Sequence, residues 1–108
     1  MKPHWFYILL SVSSAPRYGS AIQEDVRSLS DARVRLWPAT LYGSLDELAS
    51  LGWLEEVEGD ERPAGIAGRE RFYRLTPTGR EALEVEVGRM EALADVARER
   101  LGAGRVRA

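Results

Sequence analysis

Apolar residues recur three and four positions apart in four stretches of the chain and alternate with polar ones in two. The pattern therefore predicts four helices and a hairpin. Over residues 3–13, Trp5, Ile8, Leu9 and Val12 fall on one face, and Pro3 suits a first helical turn, where no N–H is needed. "SSAPR" breaks this helix. Residues 18–29 form a second, with Ala21, Ile22, Val26 and Leu29 turned inward. "DARVRLW" is too short for a helix, and its Val34 and Leu36 alternate with Arg33 and Arg35, so a short strand is expected there. Pro38 opens a third helix, in which Leu41, Leu45, Leu48 and Gly52 are spaced four, three and four apart.

"WLEEVEG" and "RERFYRL" alternate in part, and "DERPAGIAG" between them carries Pro63, Gly65 and Gly68. These stretches predict a β-hairpin with a long, arginine-flanked tip. Thr76 is the expected N-cap of a fourth helix, with Pro77 in its first turn and its end near Leu101. Leu83, Val87, Met90, Ala94, Ala97 and Leu101 follow each other at four, three, four, three and four, which is a heptad seam. The tail "GAGRVRA" is expected to fray. Three helices followed by a hairpin make a winged helix-turn-helix, an α+β fold that is mainly α. The expected organisation is a winged helix-turn-helix over residues 1–76, a dimerisation helix over 77–101 and a frayed tail over 102–108. The fourth helix is too long for so small a domain to cover, so it is expected to pair with a second copy.

Composition changes this picture little, and charge distribution changes it more. The 108 residues suffice for one core, and 44% hydrophobic with 30% charged residues is ordinary for a globular protein. No apolar run approaches a membrane span. "MKPHWFYILL" has a basic residue before an apolar run, as a signal peptide does. The run is short, however, and "SSAP" is a poor cleavage site, so the segment is expected to be a core helix of a cytoplasmic protein. Cysteine is absent. The net charge of -2 hides an uneven distribution: residues 46–61 carry -7 and residues 62–80 carry +4. A local basic surface is thus the expected attraction for a polyanion, densest at Arg62, Arg69, Arg71, Arg74 and Arg80.

Catalytic chemistry finds no support in these residues. There is one histidine, no thiol, no glycine-rich phosphate loop and no paired metal ligands. The acidic run "EEVEGDE" lies on a strand and its turn, away from any apolar pocket signal. No catalytic residue, metal or cofactor is expected. The third helix is more suggestive. Its N-terminus offers unsatisfied N–H groups and the positive end of the dipole, and Thr40 and Tyr42 add hydroxyls for phosphates or base edges.

"PATLYGSLDELASLGWL" resembles the core motif of the PadR family of transcriptional regulators. "RFYRLTPTGREAL" is similar to that family's second wing strand and the start of its dimerisation helix. "ILLSVSSAPRYGSAI" is similar to its first helix and the Tyr-Gly that begins the second. The length is similar to that of the short subgroup with one C-terminal helix. The resemblance implies a homodimeric repressor that binds double-stranded DNA and is often relieved by a small molecule. Tyr18, Pro38, Thr40, Tyr42, Arg69 and Arg71 are then expected at the DNA, with Arg33 and Arg35 on the backbone beside them. The seam from Leu83 to Leu101 would join the two copies, and Trp5, Phe6 and Met90 are the candidates for an effector pocket. Asp46 and Glu47 depart from the family pattern, which often has basic residues in mid-helix. A winged helix that binds proteins instead of DNA, and a small-molecule sensor or carrier, remain the alternatives.

Overall fold

The computed structural model describes residues 1–58 and 71–107, with side chains described up to residue 103. The elements run α1 (Pro3–Ser11), β1 (Arg17–Tyr18), α2 (Gly19–Leu29), α3 (Pro38–Ser50), β2 (Leu54–Val57), β3 (Phe72–Leu75) and α4 (Pro77–Arg107). The three strands make one antiparallel sheet in the order β1-β3-β2. This is a winged helix-turn-helix with a long C-terminal helix. The tip of the hairpin, including Arg62 and Arg69, lies outside the described residues.

The core forms where the apolar spacings converge. Ile8, Leu9, Val12, Ile22, Val26, Leu41, Leu45, Leu48, Leu54 and Tyr73 are each 2% exposed or less, and Leu36 and Leu83 close the cluster. Each buried leucine stabilises the fold by roughly 2 kcal/mol relative to exposure. Leu29 departs from the expected inward face and is 44% exposed. It lies in the last turn of α2, where the chain reverses and the described residues leave it uncovered.

α2 and α3 end in the same way with different residues. After α2, Asp31 N–H bonds the Ser28 carbonyl at 3.1 Å and Ala32 N–H bonds the Arg27 carbonyl at 2.8 Å. After α3, Gly52 N–H bonds Ala49 at 3.0 Å and Trp53 N–H bonds Leu48 at 3.0 Å. Both are Schellman turns, which need a left-handed residue. Gly52 takes it at φ 76°, whereas Asp31 and Ala32 take it at 57° and 63° with side chains attached.

The strand expected in "DARVRLW" does not form. The left-handed pair at its start reverses the chain, and its polar backbone is satisfied by α2 instead of by a sheet. Val34 N–H donates to Ser30 Oγ at 2.9 Å, and Gln23 donates to the Leu36 carbonyl. The third strand is β1, two residues whose partners are Tyr73 and Phe72 of β3. So short a segment has no alternation to read.

α4 is rooted on the turn between α3 and β2. Thr76 caps it, accepting the Gly79 N–H at 3.0 Å and donating to the Gly52 carbonyl. A Cβ on Gly79 would lie 2.1 Å from the Trp53 carbonyl oxygen, so only glycine allows this approach. The helix continues to Arg107, past the fraying expected after Leu101. Extending a formed helix adds one hydrogen bond per residue fixed, which offsets the cost of Gly102 and Gly104.

Candidate nucleic-acid interface

α3 buries Leu41, Ser44, Leu45 and Leu48 and leaves Pro38, Ala39, Thr40, Gly43, Asp46, Glu47 and Ser50 exposed. Its N-cap residue is Trp37, which forms no side-chain cap. The first-turn N–H groups of Ala39 and Thr40 therefore point outward at the positive end of the helix dipole. Trp37 is 65% exposed, with the Arg35 guanidinium 5.7 Å from its ring centre. Among the described residues, no atom beyond the helix's own backbone and the two neighbouring residues lies within 4 Å of the place a Cβ on Gly43 would occupy, so the middle of this face is open.

Both carboxylates of α3 are engaged by cations from other elements. On the wing side, Arg71 Nη2 donates to Asp46 Oδ1 at 2.7 Å, and Arg71 Nε donates to Glu56 of β2. The same guanidinium lies over the rings of Tyr42, at 5.6 Å, and Tyr73, at 5.4 Å. The hydrogen bonds to Glu56 and then Asp46 hold Arg71 even more firmly charged than usual. Burial pushes the Tyr73 hydroxyl above its ordinary range. On the opposite side, Lys2 donates to Glu47 at 3.1 Å. His4 of α1 bonds Ser44 Oγ at 3.0 Å, and burial, followed by the nearby Lys2, lowers its pKa.

Tyr42 is half-buried and closes the gap between α2, α3 and the wing. A Cβ on Gly19 would meet its hydroxyl at 2.6 Å, and the Gly19 N–H bonds the Arg71 carbonyl at 3.0 Å. The glycine of "RYG" is thus the space in which Tyr42 sits. Tyr18 departs from its expected position at the surface. It is 7% exposed, its ring 4.7 Å from that of Phe72 in a small cluster with Val57. Pairing of β1 with β3 turns this side chain under the wing. Arg33 and Arg35 are exposed on the segment leading into α3. Pro38 and Thr40 are exposed as expected, while Arg69 lies outside the described residues.

The heptad seam of α4 divides. Leu83 is 6% exposed and belongs to the domain's own core, and Val87 is half-buried. The expectation that Leu83 faces a second copy is corrected, because α1 packs against this part of α4 and takes its first turns into the core. Beyond it, Met90 is 39% exposed, Leu93 55%, Val96 41% and Leu101 67%, with Ala94 half-buried and Ala97 exposed between them. An open groove of about 550 Å³ runs along the first turns of α4, lined in part by Trp53, Ala82, Val85, Glu86 and Arg89. Trp5, Phe6 and Met90 do not line it. Trp5 packs edge-on against Trp53 at 6.0 Å, and Phe6 against Tyr7 at 5.9 Å. Among the described residues, no group of three His, Asp or Glu is placed to hold a metal, and no helix is long and apolar enough to cross a membrane.

The model of the transcriptional regulator PadR-like family matches residues 8–85, from the first core helix into α4. The chain belongs to the PadR-like family. Its fold is shared with a PadR family transcription regulator from Clostridium difficile (TM-score 0.73, 21% identity, covering 91% of this chain and 97% of that one). It is likewise similar to a transcriptional regulator from Clostridium thermocellum (TM-score 0.70, 23% identity, 89% and 87% covered). A third structure is a PadR-like transcription factor from Bacteroides fragilis (TM-score 0.62, 26% identity, 89% and 86% covered). A 37.1 kDa protein in transposon TN4556 of Streptomyces fradiae is 36% identical over 86 residues, which are 80% of this chain. The chain spans only 22% of that relative's length. This PadR-like chain is a transcriptional regulator by family, and the family is not enzymatic. Sequence spacing alone missed two of its packing devices, Gly19 beneath Tyr42 and Gly79 against Trp53. Their signal is the glycine in the Tyr-Gly and Thr-x-x-Gly motifs.

Proposed function

We propose that this PadR-like regulator binds double-stranded DNA as a homodimer and represses transcription from an inverted-repeat operator. The observation that carries this reading is the exposed, uncapped first turn of α3, flanked by Arg33 and Arg35. Main-chain N–H groups there fix a phosphate, the two arginines supply attraction, and Thr40 lies beside them for a phosphate or base edge. Arg71 contributes less to phosphate binding than its charge suggests, since two carboxylates already share it. The exposed stripe of Met90, Leu93, Val96 and Leu101 supports pairing through α4. A two-fold pair of recognition helices reads half-sites about one helical turn apart. A small molecule bound at the seam would release DNA only by favouring a different separation of the two helices.

The acidic groups on α3 favour a second reading, a winged helix that docks on a basic protein surface. Fluorescence anisotropy separates the two. The full chain is titrated against DNA from upstream of its own and neighbouring genes at several salt concentrations. Saturable binding to one fragment that weakens steeply with salt is expected. Binding no stronger than to random DNA at low salt would overturn the DNA reading. Leu93→Asp, followed by sedimentation velocity, tests the seam: the expected result is a monomer that keeps its helical content.

A further inference from the structure

Direct readout needs side chains that reach base edges, and α3 offers an unusual set. Its sequence, "PATLYGSLDELAS", contains no Lys, Arg, Asn or Gln. Those residues read guanine and adenine through donors or a mixed donor and acceptor edge. The exposed face of α3 instead presents two short hydroxyls, Thr40 and Ser50, and two carboxylates, Asp46 and Glu47. A carboxylate only accepts hydrogen bonds, and its partner in the major groove is the cytosine N4 amino group.

Asp46 is the better placed of the two. Its side chain is 62% exposed, yet Arg71 fixes it through Oδ1 at 2.7 Å. Arg71 is in turn oriented by Glu56 and lies over the rings of Tyr42 and Tyr73. The hydrogen bond uses one carboxylate oxygen, and the positive guanidinium beside it offsets repulsion from the phosphates. Glu47 is paired with Lys2, and both side chains of that pair are about half exposed. Ala39 and Gly43 precede Asp46 on the same edge of the helix, and the open space at Gly43 lets the helix sit deep enough for a short side chain to reach a base.

We propose that Asp46, positioned by Arg71, accepts a hydrogen bond from the N4 amino group of a cytosine in each operator half-site. The proposal rests on the DNA-binding reading above and names what that interface recognises. Arg71 is a positioning residue that orients the reader and screens its charge.

The test compares the wild-type full chain with Asp46→Asn and Asp46→Ala. Each protein selects duplexes from a random pool, and anisotropy then measures dissociation constants for single-base variants of the selected site. The wild type is expected to require cytosine at one symmetric position, with roughly tenfold weaker binding when it is replaced. Asp46→Asn is expected to move the preference there to adenine, whose N6 and N7 match an amide. Asp46→Ala is expected to lose preference at that position and keep it elsewhere. If both variants retain the wild-type preference, Asp46 is not the reader. If they bind every duplex more tightly with base preferences unchanged, the carboxylate acts only as a repulsive charge, and the proposal also fails. A wild-type protein that selects a site without cytosine dependence overturns this proposal alone. One that selects no site overturns the DNA-binding reading and this proposal together.

Discussion

α3 and α4 carry apolar stripes of the same spacing and meet opposite fates. Leu41, Leu45 and Leu48 are at most 1% exposed, wrapped by the rest of the domain. Leu83 is also buried, but exposure rises to 39% at Met90 and 67% at Leu101. The difference is cover. α4 has 31 residues and so extends about 46 Å, well beyond the smaller dimensions of the molecule, 27 and 22 Å. A heptad spacing states that a face is to be buried, without stating whether the same chain buries it. In α3 the stripe is core. In α4 it is core at Leu83 and exposed from Met90 onward.

The sharpest way to break this comparison is to truncate one leucine from each stripe. Leu45→Ala is expected to cost about 3 kcal/mol in chemical denaturation, because it opens a cavity in a packed core. Leu101→Ala is expected to change the stability of the isolated chain by less than about 0.5 kcal/mol. In the proposed dimer it lowers self-association instead, read by sedimentation. Equal losses of stability in the two variants at a concentration where the chain is monomeric would contradict the contrast.

Next in size is the root of α4. Gly79→Ala places a methyl group against the Trp53 carbonyl, a backbone atom that cannot swing aside, and is expected to cost about 2 kcal/mol or more. Gly88→Ala, farther along α4 where no described residue beyond the helix itself comes within 4 Å of the added methyl, is expected to stabilise the helix by up to about 1 kcal/mol. Thermal melts of both variants would show whether α4 is rooted at one end and open beyond it.

A smaller effect concerns the turn that delivers the chain to α3. Ala32 holds φ at 63°, a conformation that a side chain makes costly, so Ala32→Gly is expected to raise stability by roughly 1 kcal/mol. The smallest expected effect is on the contact between α1 and α3. The fold lowers the His4 pKa below its ordinary value of 6.5, so the unfolded chain takes up the proton first as pH falls. Stability is thus unaffected by this group well above pH 6.5 and declines as pH drops below it. In His4→Gln, denaturation midpoints measured at neutral pH and near pH 5 should differ less than they do in the wild type.

Much of α3 was legible because its signals are local. Pro38 opens α3, Gly52 closes it, and three leucines at helical spacing define its inner face. The fourth helix was equally plain from Thr76, Pro77 and the heptad seam. The expected strand at "DARVRLW" failed because alternation over a few residues does not reveal where backbone hydrogen bonds go, and here they go to Ser30 and Gln23. β1 was invisible, since two residues form a strand only by virtue of the β3 edge they meet.

The candidate site was less legible than the fold. The residue types expected around α3 are present, but their pairings link positions far apart in the chain. Arg71 reads as a free cation in the sequence and stands between Asp46 and Glu56 in the structure. Asp46 and Glu47, adjacent in sequence, leave the helix in different directions, one to the wing and one to Lys2, just before α1. Tyr18 looks like a surface hydroxyl until β1 pairs with β3 and turns it inward.

By itself, the sequence determined the four helices, the strands β2 and β3, their order and the family, because helix periodicity, caps and turn glycines act over a few residues. The tertiary structure alone decided which apolar stripe is core, which charges neutralise one another and which tyrosine remains near the surface. Those outcomes depend on contacts between residues tens of positions apart, and burial and ion pairing respond to that proximity in space.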